Sequence, residues 1–216
     1  MEYALTATKT EARAGSFYDK IAGLYDLTFK LNGYGRSLDQ YFEKHPLPVS
    51  RNARILDAGC GTGLLTLALL RALHFPVRIT ALDLSVTSIV AADKAVYESS
   101  IRTHDVSFAQ GNVLSLPFAD NTFDLVVTSG ALEYVPLEDG INELARVVAA
   151  GGHLLHLPCR PSIASTFLEI LFRFKSHSPR AVMHNTEQHF RVKHHYRFRR
   201  SEIIGWSKTA IMAQKA

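Results

Sequence analysis

The stretch RILDAGCGTGLLTLAL, Arg54 to Leu69, decides how the rest of the chain is read. Apolar residues lead to Asp57, glycine then stands at every second position (Gly59, Gly61 and Gly63), and an apolar helical pattern follows at once. Glycine reaches backbone angles that a Cβ forbids and lets a bound molecule approach the main chain closely. The spacing therefore predicts a strand, a tight turn and a helix, with the turn as a ligand cradle.

Working outward, short apolar runs alternate with helical patterns from residue 53 to 159. Strands are expected over 53–59, 77–85, 106–113, 123–130 and 152–159, each apolar on both faces as buried parallel strands are. Helices are expected over Gly63–Leu73, Val86–Ser99 and Glu138–Ala149, the last stopped by the Gly151-Gly152 pair. This order predicts an α/β, doubly wound, mostly parallel sheet. Residues 1–50 read as an N-terminal helical lid closed by the two prolines of HPLPVS, ahead of a domain over 51–216. HFRVKHHYRF and SKTAIMAQK offer two further strands near the end.

At 216 residues and 47% hydrophobic content, the chain suits one core. Its net charge of +4 is regional, because residues 173–200 hold eight Lys/Arg against the single acid Glu187. Anionic partners are to be sought there. Two cysteines without a Cys-x-x-Cys pattern argue against a disulfide framework or a zinc knuckle and fit a reducing cytosol. The first residues do not resemble a secretory signal, and no apolar run reaches membrane-spanning length.

The glycine spacing narrows the ligand. A dinucleotide fingerprint, G-x-G-x-x-G, would need glycine where Leu64 stands. Asp57 beside the turn repels a pyrophosphate and suits a ligand carrying positive charge. S-adenosylmethionine carries an ammonium and a sulfonium, and Asp83, ending the ALDLS strand, is placed to accept from ribose hydroxyls.

ILDAGCGTGLLTLAL, ALDLS, GNVLSLPFADNTFDLVVTSGALEYV and ELARVVAAGGHLLHLP together resemble the class I S-adenosylmethionine-dependent methyltransferases, within them the ubiquinone/menaquinone-biosynthesis-like small-molecule branch. The resemblance covers about residues 53–159 and implies a seven-stranded Rossmann-like sheet with an antiparallel last strand. It also implies S-adenosylmethionine as cofactor and S-adenosylhomocysteine as product. Asp57, Gly59 and Gly61 would hold the methionine part and Asp83 the ribose, with Gly63 and Leu84 also among the cofactor-binding residues. Asn112 and Val113 would meet the adenine, and Ser129 would lie under the sulfonium near the acceptor. The family often has an acid at position 112, and many relatives have His where this chain has Glu133.

Methyl transfer from a sulfonium is an in-line displacement, so the protein mainly aligns the acceptor and excludes water. A base is needed only for an acceptor that arrives protonated. Glu133 and Tyr134, just after the fourth strand, are the catalytic candidates, against a solvated helix-entry acid beside a packing aromatic. Tyr18 and Tyr25, seven apart in SFYDKIAGLYD, are read as part of a lid over the cofactor or as ordinary helix packing. His184, His189 and His194 are spaced by five, which does not stack on one helical face, so no metal site is expected. SIASTFLEILFRFKSHSPR places an apolar helix face beside Arg173, Lys175 and Arg180, which suits an amphipathic or anionic acceptor, peripheral membrane contact through 163–180, or plain edge packing.

The sequence thus points to a cytoplasmic methyltransferase acting on a small, apolar or lipid-like acceptor, its site roofed by residues 15–35 and 158–195. An RNA methyltransferase is the alternative enzyme, prompted by the basic tail. TSGALEYV lacks both the N-P-P-Y type motif and a nucleophilic cysteine, which makes nucleic acid the weaker partner. A non-catalytic cofactor-binding regulator is the alternative outside enzymes.

Overall fold

The computed structural model describes residues 34–161, 166, 169, 174–198 and 208–216. Seven strands form one sheet: β1 (Arg54–Ala58), β2 (Arg78–Asp83), β3 (Asp105–Gln110), β4 (Phe123–Ser129), β5 (Val148–Leu157), β6 (Phe190–Arg197) and β7 (Thr209–Lys215). Their order is β3-β2-β1-β4-β5-β7-β6. The first five run parallel, while β7 is antiparallel to both β5 and β6. The expected topology is therefore present, and the tail supplies its last two strands.

Helix α1 (Tyr34–Lys44) buries Tyr34, Ser37, Leu38, Tyr41 and Phe42, the i, i+3, i+4, i+7, i+8 stripe of an amphipathic helix. It packs on α2 (Leu64–Ala72) and on the inner face of β6, where Tyr41 meets Tyr196 at 5.4 Å between ring centroids and His45 meets His194 at 4.2 Å. Helices α3 (Val86–Glu98), α4 (Leu137–Val147) and α5 (Pro179–Glu187) complete the described layers. Strands β1 and β4 are buried over nearly their whole length, which matches their apolar centres Ile55-Leu56 and Leu125–Val127.

Several boundaries differ from expectation. Helix α4 stops at Val147, before the glycine pair, because β-branched Val148 already pairs with Phe123 as the first residue of β5. Gly151 and Gly152 instead serve an irregularity inside that strand. Pairing moves from Phe123↔Val148 to Leu125↔His153, leaving extra residues on β5, and Gly151 takes φ +73° there. The predicted third strand also ends early, at Gln110, so Asn112 and Val113 lie in the loop beyond it.

Candidate functional site

The glycine turn is held by its neighbour strand. Gly59 and Cys60 donate their N–H groups to the Leu82 carbonyl at 2.8 and 2.9 Å, and all three glycines have positive φ. A Cβ on Gly59 would stand 2.3 Å from the Ala131 Cβ, and one on Gly63 would meet Ala92 at 3.1 Å. Glycine is therefore needed at 59 for the strand-four loop and at 63 for contact between α2 and α3. A Cβ on Gly61 would meet nothing within 4 Å, so the open side of the turn lies there.

Both acids named from the sequence stand at this turn, in different roles. Asp83 is half-buried and accepts from Gly61 N–H at 2.8 Å through one carboxylate oxygen and from Ser85 N–H at 2.9 Å through the other. It thereby ties the turn to the start of α3, where the Ser85 hydroxyl caps the Ser88 N–H at 3.1 Å. Leu84 bridges these two positions. Asp57 is fully buried, accepting from the Thr66 hydroxyl at 2.6 Å through Oδ2 while its Oδ1 has no hydrogen-bond partner. Burial drives its pKa up to about 7, with the Asp83 charge adding to the rise and the Thr66 bonds opposing it. An orphaned buried oxygen beside an open glycine turn fits a ligand that brings a cationic donor.

Asn112, partly buried, folds its side chain back onto its own loop. Its Oδ1 accepts from Leu114 N–H at 2.9 Å, which leaves the amide NH₂ as the group available to a ligand; Val113 is buried beside it.

The other half of the site lies past the ends of β4, β5 and β7, where Ser129 pairs with Leu157 and Cys159 bridges to Lys208. Continuing the β1–β4 register two residues beyond Asp57↔Val127 sets Ser129 opposite Gly59. Ser129 joins Tyr34 Oη in a short hydrogen bond and accepts from Lys208 Nζ at 3.0 Å. Lys208 is 1% exposed, donates also to the Leu157 carbonyl at 3.3 Å, and holds its Nζ 5.8 Å from the centre of the Tyr34 ring.

Glu133 sits in the single 3₁₀ turn Leu132–Tyr134 that follows β4. The solvated-acid reading of Glu133 is corrected: the side chain is 4% exposed, and its Oε1 accepts a short hydrogen bond from Cys159 N–H. The turn folds it inward because β5's end needs an acceptor for that N–H. Its Oε2 and both ring nitrogens of His156, itself 1% exposed, lack partners. Burial pushes His156 down to about 4; the Glu133 charge opposes this, and Lys208 and His177 reinforce it. Tyr134 packs its ring on Phe174 at 5.8 Å. His177 bonds the Leu132 carbonyl at 2.9 Å and Lys175 N–H donates to the Glu133 carbonyl at 3.1 Å, so the segment after the 163–174 pattern returns to this turn.

Tyr18 and Tyr25 lie outside the described residues, as do the rest of the lid before 34 and most of the 163–173 helix pattern. The three evenly spaced histidines go to separate places. His184 contacts Gln188, His189 meets Asn142 Oδ1 at 2.6 Å, and His194 stacks near His45. Among the described residues no three His, Cys, Asp or Glu side chains gather as a metal site would, and no helix is long and apolar enough to cross a membrane. Tyr34 and Lys208 were not singled out from the sequence. The available signal was a lone lysine opening the apolar strand KTAIMA, which marks a cation that the fold must bury or use.

A family model described as a methyltransferase domain matches residues 55–152. The demethylmenaquinone methyltransferase of Corynebacterium glutamicum is 30% identical over 208 residues, covering 93% of this chain and 81% of the relative. A geranyl diphosphate methyltransferase structure in complex with S-adenosylmethionine superposes with TM-score 0.68 at 18% identity, over 85% of this chain and 91% of that one. A cyclase structure superposes nearly as well, with TM-score 0.66 at 19% identity over 84% and 80% of the two chains. Likeness at that level speaks for the fold alone.

Proposed function

The chain belongs to the demethylmenaquinone methyltransferase family of class I S-adenosylmethionine-dependent methyltransferases, and from that premise we propose that it methylates a small, apolar or lipid-like acceptor. It is thus an enzyme and not a non-catalytic binder. The quinone-type ring named in its relatives is the first acceptor to try. The observation that carries the reading is the orphaned, buried Asp57 Oδ1 beside the open face of Gly61.

In this proposal Asp57, Gly59, Gly61 and Gly63 receive the methionine part of S-adenosylmethionine, Asp57 answering its ammonium. Asp83, with Leu84 next to it, takes the ribose hydroxyls at the carboxylate that also accepts from the Gly61 and Ser85 N–H groups. Asn112 and Val113 take the adenine, and Tyr18 and Tyr25 belong to the lid. When bound, the cofactor supplies an activated methyl group on a positively charged sulfur. Ser129 borders that methyl and the acceptor, while Glu133 and Tyr134 act from the turn behind it. Glu133 holds the end of β5 in place and Tyr134 walls the acceptor side with Phe174. The remaining task of the chain is to keep water out and the acceptor in line.

The basic residues of the tail support an acceptor with a polar or anionic head, or contact with an anionic membrane surface, more than nucleic acid. Arg191, Lys193 and Arg197 lie on the exposed face of an edge strand, a common defence against edge-to-edge pairing. The test is transfer of labelled methyl from S-adenosylmethionine to a reduced demethylnaphthoquinone with an isoprenoid tail, beside bulk RNA and an untargeted metabolite extract. Label in the quinol or another apolar metabolite is expected. Label in RNA alone would overturn the acceptor assignment.

A further inference from the structure

The proposed function leaves a buried lysine, a buried tyrosine and a serine that join residues 34, 129 and 208 in space at the acceptor side of the sheet. Lys208 and Tyr34 are 1% and 5% exposed, and Ser129 is the partly exposed member through which they reach the site. Burying a lysine is costly unless its charge is used, and its Nζ donates to the Ser129 hydroxyl and the Leu157 carbonyl and lies near the face of the Tyr34 ring.

We propose that Tyr34 is the general base of the reaction, that Lys208 supplies the charge favouring its tyrosinate, and that Ser129 links the two. The acceptor class follows, since a phenolate base matches an acceptor bearing a phenol or enol hydroxyl and is poorly matched to an amine, which attacks as a neutral lone pair. This deepens the reading above and rests on it.

The step balances without a further reagent. The acceptor O–H bond breaks and its proton passes to the Ser129 oxygen, while Ser129 gives its own proton to Tyr34 and a Tyr34 O–H bond forms. The electron pair released to the acceptor attacks the methyl carbon through oxygen or through a ring carbon conjugated with it. The methyl carbon–sulfur bond then breaks with its electrons on sulfur, leaving a neutral thioether. A ring carbon that has gained the methyl loses its own proton to restore the ring.

The charges around Tyr34 make this step depend on the cofactor. Burial holds the phenol above its ordinary pKa, the Lys208 charge and the Ser129 hydrogen bond pull it down, and Cys159 and Asp57 push it up. A sulfonium beside Ser129 adds a second positive charge, so the tyrosinate is favoured when the methyl donor is bound and disfavoured once the sulfur is neutral. The base is armed only in the complex that can react.

Tyrosinate absorbance, titrated against pH without acceptor, tests this directly. With saturating S-adenosylmethionine, one tyrosine of the wild type is expected to ionise about 1–3 pH units below its position with S-adenosylhomocysteine. The step is absent from Tyr34→Phe, moves back up in Lys208→Met and is kept in Lys208→Arg. If Lys208→Met does not fold, Ser129→Ala serves, with the same upward move. Identical curves with the two nucleosides, or a difference that survives in Tyr34→Phe, overturn the proposal. Absence of calorimetric binding of either nucleoside would remove the cofactor reading itself, a failure distinct from that of Tyr34.

Discussion

The two halves of the site are built on opposite plans. At the glycine turn the polar groups that matter are main-chain N–H groups and two acids from consecutive strands; Asp83 reaches Gly61 across 22 residues of sequence. At the acceptor side they are buried side chains from remote segments. Tyr34 meets Ser129 across 95 residues and Lys208 meets it across 79. Main-chain geometry answers a part common to every reaction of the cofactor, whereas side chains assembled at long range can be changed one at a time to suit an acceptor.

The contrast breaks most visibly at the glycines. Gly59→Ala is expected to cost about 2–5 kcal/mol, combining a left-handed backbone with overpacking against Ala131. Gly61→Ala, with open space at its Cβ, is expected to cost about 1–2 kcal/mol of stability from backbone alone. Urea unfolding of both variants decides, and equal losses would mean that the turn is not pinned by the strand-four loop.

Two buried titrating groups, one in each half, are expected to tilt stability in opposite directions. Asp57 rises from 3.8 to about 7 on folding, so its contribution is complete below pH 3.8 and lost as pH rises through 7. The loss amounts to up to about 4 kcal/mol, and Asp57→Asn should flatten that dependence while weakening S-adenosylmethionine binding. His156 falls from 6.5 to about 4, so its contribution is complete above pH 6.5 and lost as pH falls toward 4. That loss is about 3 kcal/mol, and His156→Leu should remove it. Thermal melts of the cofactor-free protein from pH 4 to 8 check both signs; a wild type and variants with parallel pH curves would refute the two assignments.

Asp83→Ala sharpens the plan of the cofactor half. Two N–H groups lose their acceptor along with the ribose, so the variant is expected to lose about 1–3 kcal/mol of stability as well as about 1.5–3 kcal/mol of cofactor affinity. Calorimetry beside unfolding separates the two, and a fold of undiminished stability would mean that the turn holds itself. The smallest effect belongs to the edge strand, where Lys193→Glu should change stability by no more than about 0.5 kcal/mol. A large rise in its KM for the acceptor would bring β6 into the acceptor site.

Legibility in the sequence follows the same division. β1, the turn and Asp83 were readable because the residues are close in sequence and the spacing carries the geometry. The end of α4 was misread because a glycine pair serves a helix stop and a strand irregularity equally well, and only pairing of Val148 with Phe123 decides. Glu133 was found as a position but not as a buried group. Nothing local to LEYV tells that the Cys159 N–H lies above it. Tyr34 has no local signature, and Lys208 has only its place at the head of an apolar strand; their meaning exists only once β7 has entered the sheet.

That entry sets a timetable for the newborn chain. β7 is the last described strand to be made, yet it lies between β5 and β6, and α1, the first described helix, rests its aromatic face on β6. During synthesis the parallel strands and the glycine turn have all their partners early. The hairpin, the seat of α1 and the cation beneath Ser129 must wait for residues after 208 to clear the ribosome. A stalled or truncated chain would therefore carry a nearly complete nucleoside cradle with an open flank. The half of the site that chooses the acceptor would be closed last, in a single event, by the strand that brings in Lys208.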